Sequence, residues 1–104
     1  MVTVIKSEVE INSLITSFKG LLVVDAFAIW CNPCKVLAPK LEIMQQAYPT
    51  VKIVKVDVEE LANFAEDYNI RAMPTLLFFK NGVEVDRVTG ANEPDIIKAI
   101  QKHM

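Results

Sequence analysis

Cysteine is scarce in this chain. Cys31 and Cys34 are the only two, and His103 is the only histidine. A closed zinc site needs four ligands, so these three residues cannot build one within a single chain, which leaves only a cluster shared between two chains. Positive charge is not in excess either: 11 Lys and Arg against 13 Asp and Glu give a net charge of −2. That excludes the basic stripe of a nucleic-acid footprint. No apolar run approaches the roughly 20 residues that span a bilayer, so no membrane segment is expected. The opening "MVTVIKSEVE" lacks a basic region followed by an apolar stretch and a small-residue cleavage site. The expected compartment is therefore the reducing cytoplasm, where a permanent structural disulfide is out of place. Glycine is rare too, with three residues, and no linker, repeat or low-complexity stretch interrupts the chain. With 52% hydrophobic residues over 104 positions, one globular domain spanning 1–104 is expected.

What is present alternates between two periodicities. "VTVIK" (residues 2–6) is a β-branched run and predicts a strand. Ser7 with Glu10 forms a capping box; Ile11, Leu14, Ile15 and Phe18 follow at helical spacing, and Gly20 supplies a stop. "LLVVDAFA" (21–28) is a nearly continuous apolar run, the pattern of a strand buried on both faces. A second helix is expected over 33–48, kinked at Pro39, where an N–H is missing. "VKIVKVDV" (51–58) predicts a third strand, and Leu61, Phe64, Ala65 and Tyr68 mark a third helix. Further on, "LLFFK" and "VEVDRV" flank Asn81 and Gly82, the favoured pair for a two-residue hairpin turn. Asn92 or Glu93 then opens a last helix bearing Ile96, Ile97 and Ile100. The order β-α-β-α-β-α-β-β-α implies parallel strands joined by crossover helices, then an antiparallel hairpin. The fold class is α/β: a central mixed sheet with helices on both faces.

The two cysteines fall at a strand-to-helix junction, within "VVDAFAIWCNPCKVLAPK" (23–40). They can be a redox couple, part of a shared metal site, or an inert buried pair. Their placement favours the first. Residues three apart on a helix have Cβ atoms about 5–6 Å apart, and a disulfide needs them only slightly closer. The pair can therefore bond and separate with little backbone movement. At Cys31, orphan N–H groups and the positive end of the helix dipole favour a thiolate, which is the nucleophilic form. Pro33 suits the first helical turn, where its missing N–H costs nothing. His103 lies in a tail expected to fray, poorly placed to act as the base of a Cys/His hydrolase. Asp25 sits inside the apolar run, where an ionised carboxylate is costly and its pKa is expected to rise.

"VDAFAIWCNPCK" resembles the active-site segment of the thioredoxin family. "KVDV", "YNIRAMPTLLFFKNG" and "VTGAN" follow in the family's order, so the resemblance covers essentially the whole chain. It implies the thioredoxin fold and a protein dithiol–disulfide oxidoreductase, which reduces disulfides in client proteins through a reversible Cys31–Cys34 disulfide. No bound cofactor is implied: electrons come from a separate flavin-containing, NADPH-dependent thioredoxin reductase. Nothing demands an oligomer, and a monomer is expected. By position, Cys31 is the attacking residue and Cys34 the resolving one. Asp25 accepts the proton of the resolving cysteine, and Lys55 lies near that carboxylate. Trp30, Asn32, Pro33, Met73, Pro74 and Gly90 match the family's substrate-facing surface. There Pro74 follows a cis bond, the Met73 backbone pairs with an extended client segment, and Gly90 keeps the groove clear. Plainer roles compete at several of these positions: a satisfied core carboxylate at Asp25, a solvated lysine at Lys55, core filling at Trp30, a turn glycine at Gly90.

Three residues depart from the family pattern. Asn32 stands where glycine is usual, Ala26 replaces an aromatic, and Ile29 sits where a polar residue is common. None removes a group the chemistry needs; they bear on redox potential and partner choice. The Asn32 amide in particular is a candidate donor to the Cys31 thiolate. A reading of another class is a thioredoxin-like binding module with a vestigial CxxC. A pure scaffold needs none of Asp25, Cys31, Cys34 and Pro74, and all four are retained.

Overall fold

A computed structural model describes all 104 residues, Met1–Met104. The elements are β1 (Thr3–Val4), α1 (Glu8–Ser17), β2 (Leu21–Phe27), α2 (Asn32–Ala47), β3 (Lys52–Asp57), α3 (Ala62–Asp67), β4 (Thr75–Lys80), β5 (Val83–Thr89) and α4 (Glu93–His103). That is the order expected from the sequence. The strands form one five-stranded sheet in the order β1-β3-β2-β4-β5. β3 runs parallel to β1 and β2, while β4 is antiparallel to both β2 and β5. Asn81 and Gly82 both take positive φ, 55° and 80°, as a tight hairpin turn requires.

Local chemistry starts the helices. Ser7 Oγ accepts the Glu10 N–H at 2.9 Å, and Asn92 Oδ1 accepts that of Asp95 at 3.1 Å. α3 has no cap of its own; Glu8 reaches across from α1 and accepts the N–H groups of Asn63 (3.0 Å) and Phe64 (2.9 Å). Pro39 lies inside α2, which continues to Ala47.

Strand alternation divides the core. Leu21 and Val23 of β2 pack with Ile53, Leu76 and Phe78 under α2 and α4, which contribute Leu37, Leu41, Ile96 and Ile100. Leu22 and Val24 face the other way, with Val54, Leu77 and Phe79 against Ile11 and Ile15 of α1 and Phe64 of α3. By the same alternation Asp25 belongs to the α2 face.

Three details differ from expectation. β1 is shorter than residues 2–6, pairing only Thr3 and Val4 with β3. β5 carries a bulge, since Phe78 pairs with Asp86 and Phe79 with Glu84, leaving Val85 unpaired. A bulge on an edge strand spoils it as a template for further pairing. The C-terminal turn does not fray: His103 Nε2 lies 3.0 Å from Asp86 Oδ2, and the His103 carbonyl accepts from Lys80 Nζ at 2.8 Å. The ring is thus engaged with a carboxylate and with neither cysteine. No helix is long and apolar enough to cross a membrane.

Candidate active site

Cys31 is the N-cap of α2, in an extended conformation (φ −87°, ψ 109°). Its Sγ accepts the Cys34 N–H at 3.2 Å, so a sulfur takes the place that Ser7 and Asn92 fill in α1 and α4. Negative charge on that atom meets a backbone donor and the positive helix end together. Cys31 and Cys34 are joined in a disulfide with Cα atoms 5.3 Å apart, an ordinary span for the bond. Both are buried, and Ala28, Phe27, Val58 and Met73 pack around them.

A second segment meets the sulfurs from the far side of the sequence. The Met73–Pro74 bond is cis, and the Met73 carbonyl oxygen lies 3.5 Å from Cys31 Sγ. The Thr75 hydroxyl donates to the Ala72 carbonyl at 2.6 Å, and the Gly90 N–H to the Pro74 carbonyl at 2.8 Å. Gly90 has φ +96° and nothing within 4 Å of the position a Cβ would take. The backbone conformation favours glycine there, and the space beside it is open. Trp30 is 61% exposed, which rules out core filling and places the indole on the surface next to Cys31. Asn32 and Pro33 are exposed beside it. The Asn32 amide makes no hydrogen bond to Cys31; the sulfur's polar neighbours are the Cys34 N–H and the Met73 carbonyl.

Asp25 is fully buried, and neither carboxylate oxygen has a hydrogen-bond partner within the protein. Desolvation pushes its pKa up to about 7, against the opposing pull of the Lys55 charge. Lys55 is the cross-strand neighbour of Asp25 on β3, yet its ammonium sits 4.5 Å above the Phe27 ring. It forms no ion pair with any carboxylate. Phe27 is the residue that sequence reasoning overlooked. Its signal was present: two positions beyond Asp25 on a strand, it projects to the same face.

The thioredoxin family model matches residues 2–102. Thioredoxin-1 of Saccharomyces cerevisiae is 48% identical over 100 residues, covering 96% of this chain and 96% of that protein. Thioredoxin-2 of Pyricularia oryzae is 51% identical over 75 residues, a match spanning 72% of this chain and 44% of that longer protein. Among solved structures, the thioredoxin of Fasciola hepatica matches with a TM-score of 0.93 at 43% identity, over 98% of this chain and 99% of that one.

Proposed function

The chain belongs to the thioredoxin family and is a dithiol–disulfide oxidoreductase, and from that premise we propose that it reduces client disulfides with Cys31 attacking and Cys34 resolving. The observation that carries this division of labour is the Cys34 N–H donated to Cys31 Sγ. One sulfur sits at a helix terminus that favours its anion; the other lies inside the first turn. The Cys31 thiolate attacks one sulfur of a client disulfide and displaces the other as a client thiolate, giving a mixed disulfide. Cys34 loses its proton to Asp25 and attacks Cys31 Sγ. The second client thiolate leaves, and two electrons have passed to the client. A carboxyl with a pKa near 7 and no hydrogen-bond partner suits that exchange at neutral pH. Lys55, across the ladder from Asp25, favours the carboxylate once the proton has gone.

The client docks as an extended segment against the 73–74 loop. Both polar groups of the Met73 backbone lack backbone partners, as strand addition requires. Trp30, Asn32 and Pro33 border the segment on one side, Pro74 and Gly90 on the other. The oxidised pair is recharged in the cytoplasm by a flavin-containing, NADPH-dependent thioredoxin reductase, making the protein an electron carrier in cell redox homeostasis. The CxxC is not vestigial, since its sulfurs form a bond. Insulin reduction by dithiothreitol tests the reading: the protein accelerates the appearance of turbidity, and a rate equal to dithiothreitol alone refutes it.

A further inference from the structure

A pocket of about 350 Å³ opens beside Cys34, away from the Met73 loop in sequence, with Phe27, Ile29 and Ala38 as its apolar lining and Lys35 and Lys55 among its walls. Ile29 is 66% exposed there, an aliphatic side chain left largely uncovered by this protein. Neither lysine takes part in an ion pair, and no carboxylate lines the pocket. The Lys55 ammonium is held against the Phe27 ring at 4.5 Å, a contact that fixes a positive charge at the wall without neutralising it. An apolar base with two lysines that make no ion pair is a combination with a definite complement.

We propose that this pocket is a recognition subsite for client proteins, one that takes an aliphatic or aromatic side chain whose neighbour in the client is Asp or Glu. The proposal rests on the oxidoreductase reading, because the occupant is delivered by the same segment whose disulfide reaches Cys31. Cys34 itself lines the pocket and its Cα lies 5.3 Å from that of Cys31, so client residues a few positions from the cysteine fall within reach. Ile29 and the two lysines supply the discrimination: apolar burial selects the side chain, and opposite charge selects its neighbour and speeds encounter. The aliphatic residue that departs from the family pattern at this position thereby acquires a role, as a specificity determinant.

The test uses the reduced full-length protein and two disulfide-bridged peptides of equal length. One carries Leu-Glu three residues from its cysteine, the other Ser-Lys, and hydroxyethyl disulfide serves as a small neutral substrate. The readout is the ratio of the two peptides' second-order rate constants, in which any change of intrinsic thiol reactivity cancels. The Leu-Glu peptide is expected to react about tenfold faster. Ile29→Ser and Lys35→Glu should each reduce that ratio about threefold or more, the wild-type preference shrinking as salt is added. A wild-type ratio near one, or a ratio that neither variant moves, overturns the subsite while hydroxyethyl disulfide is still reduced. If none of the three disulfides is reduced, the oxidoreductase reading itself falls and the subsite with it.

Discussion

Replacing Asp25 with Asn is expected to stabilise the protein, by an amount that grows with pH in a defined window. The carboxyl is fully buried with both oxygens unpartnered, and its pKa stands at about 7 against 3.8 for a free side chain. A folded-state pKa above the unfolded value means that the native protein holds more protons between those limits, so stability falls as pH rises through them. Below about pH 3 both states keep the proton and no charge is buried. Above pH 7 both states have lost it, and the cost is complete. Each pH unit in the window removes about 1.4 kcal/mol, which accumulates to about 4 kcal/mol. Asn keeps the shape and stays neutral throughout. Asp25→Asn should therefore add nothing near pH 3, about 2 kcal/mol near pH 5.5, and about 4 kcal/mol at pH 7.5. Urea titrations of both oxidised proteins across this range measure it, and subtracting one curve from the other cancels the remaining carboxylates. A difference independent of pH refutes the reasoning, because it would mean that Lys55 already compensates the charge and Asp25 has no raised pKa to use. The kinetics offer a second check. Resolution of the mixed disulfide should slow most near neutral pH, and the defect should shrink as Cys34 ionises unaided at higher pH. A pH-independent loss would reduce Asp25 to a packing residue.

Cys34→Ser should accumulate mixed disulfides with client proteins on non-reducing gels and Cys31→Ser should not; equal trapping by both would reverse or erase the assignment. Because the Asn32 amide is not bonded to Cys31, Asn32→Gly should move the reduction potential by less than about 10 mV against glutathione buffers. A larger shift would require a hydrogen bond formed only in the reduced protein. Gly90→Ala should destabilise by roughly 1–2 kcal/mol in denaturant titration, although a Cβ would meet no neighbour, because φ +96° is hostile to any L side chain. No loss of stability would show that the turn can relax to negative φ.

The order of elements was legible because each is set by residues within a turn or two of one another. Ser7 and Asn92 cap the helices they precede, Asn81 and Gly82 turn the hairpin, and the apolar run through Asp25 becomes the central strand. The CxxC at a strand-to-helix junction belongs to the same class, and the sulfur at the N-cap follows from it. Other features depended on partners that local pattern does not name. β1 is as short as its pairing with β3 allows, and the β5 bulge exists only relative to β4. Burial of Asp25 could be read from its neighbours, but not that both oxygens would lack partners, which required α2 to cover that face with apolar side chains. A register slip of one residue would have turned the carboxyl to the opposite side of the sheet. The resemblance placed Lys55 near Asp25 and Trp30 on the surface, while residue type alone left core filling open at Trp30; packing set the ammonium on Phe27 and the indole in solvent. His103, expected in a frayed tail, is held by Asp86 and Lys80 from two strands of the sheet. The approach of the Met73 carbonyl to Cys31 spans 42 residues of chain. Contacts of that kind form only when separate elements settle on one sheet, and their geometry belongs to the packing of those elements rather than to either segment alone.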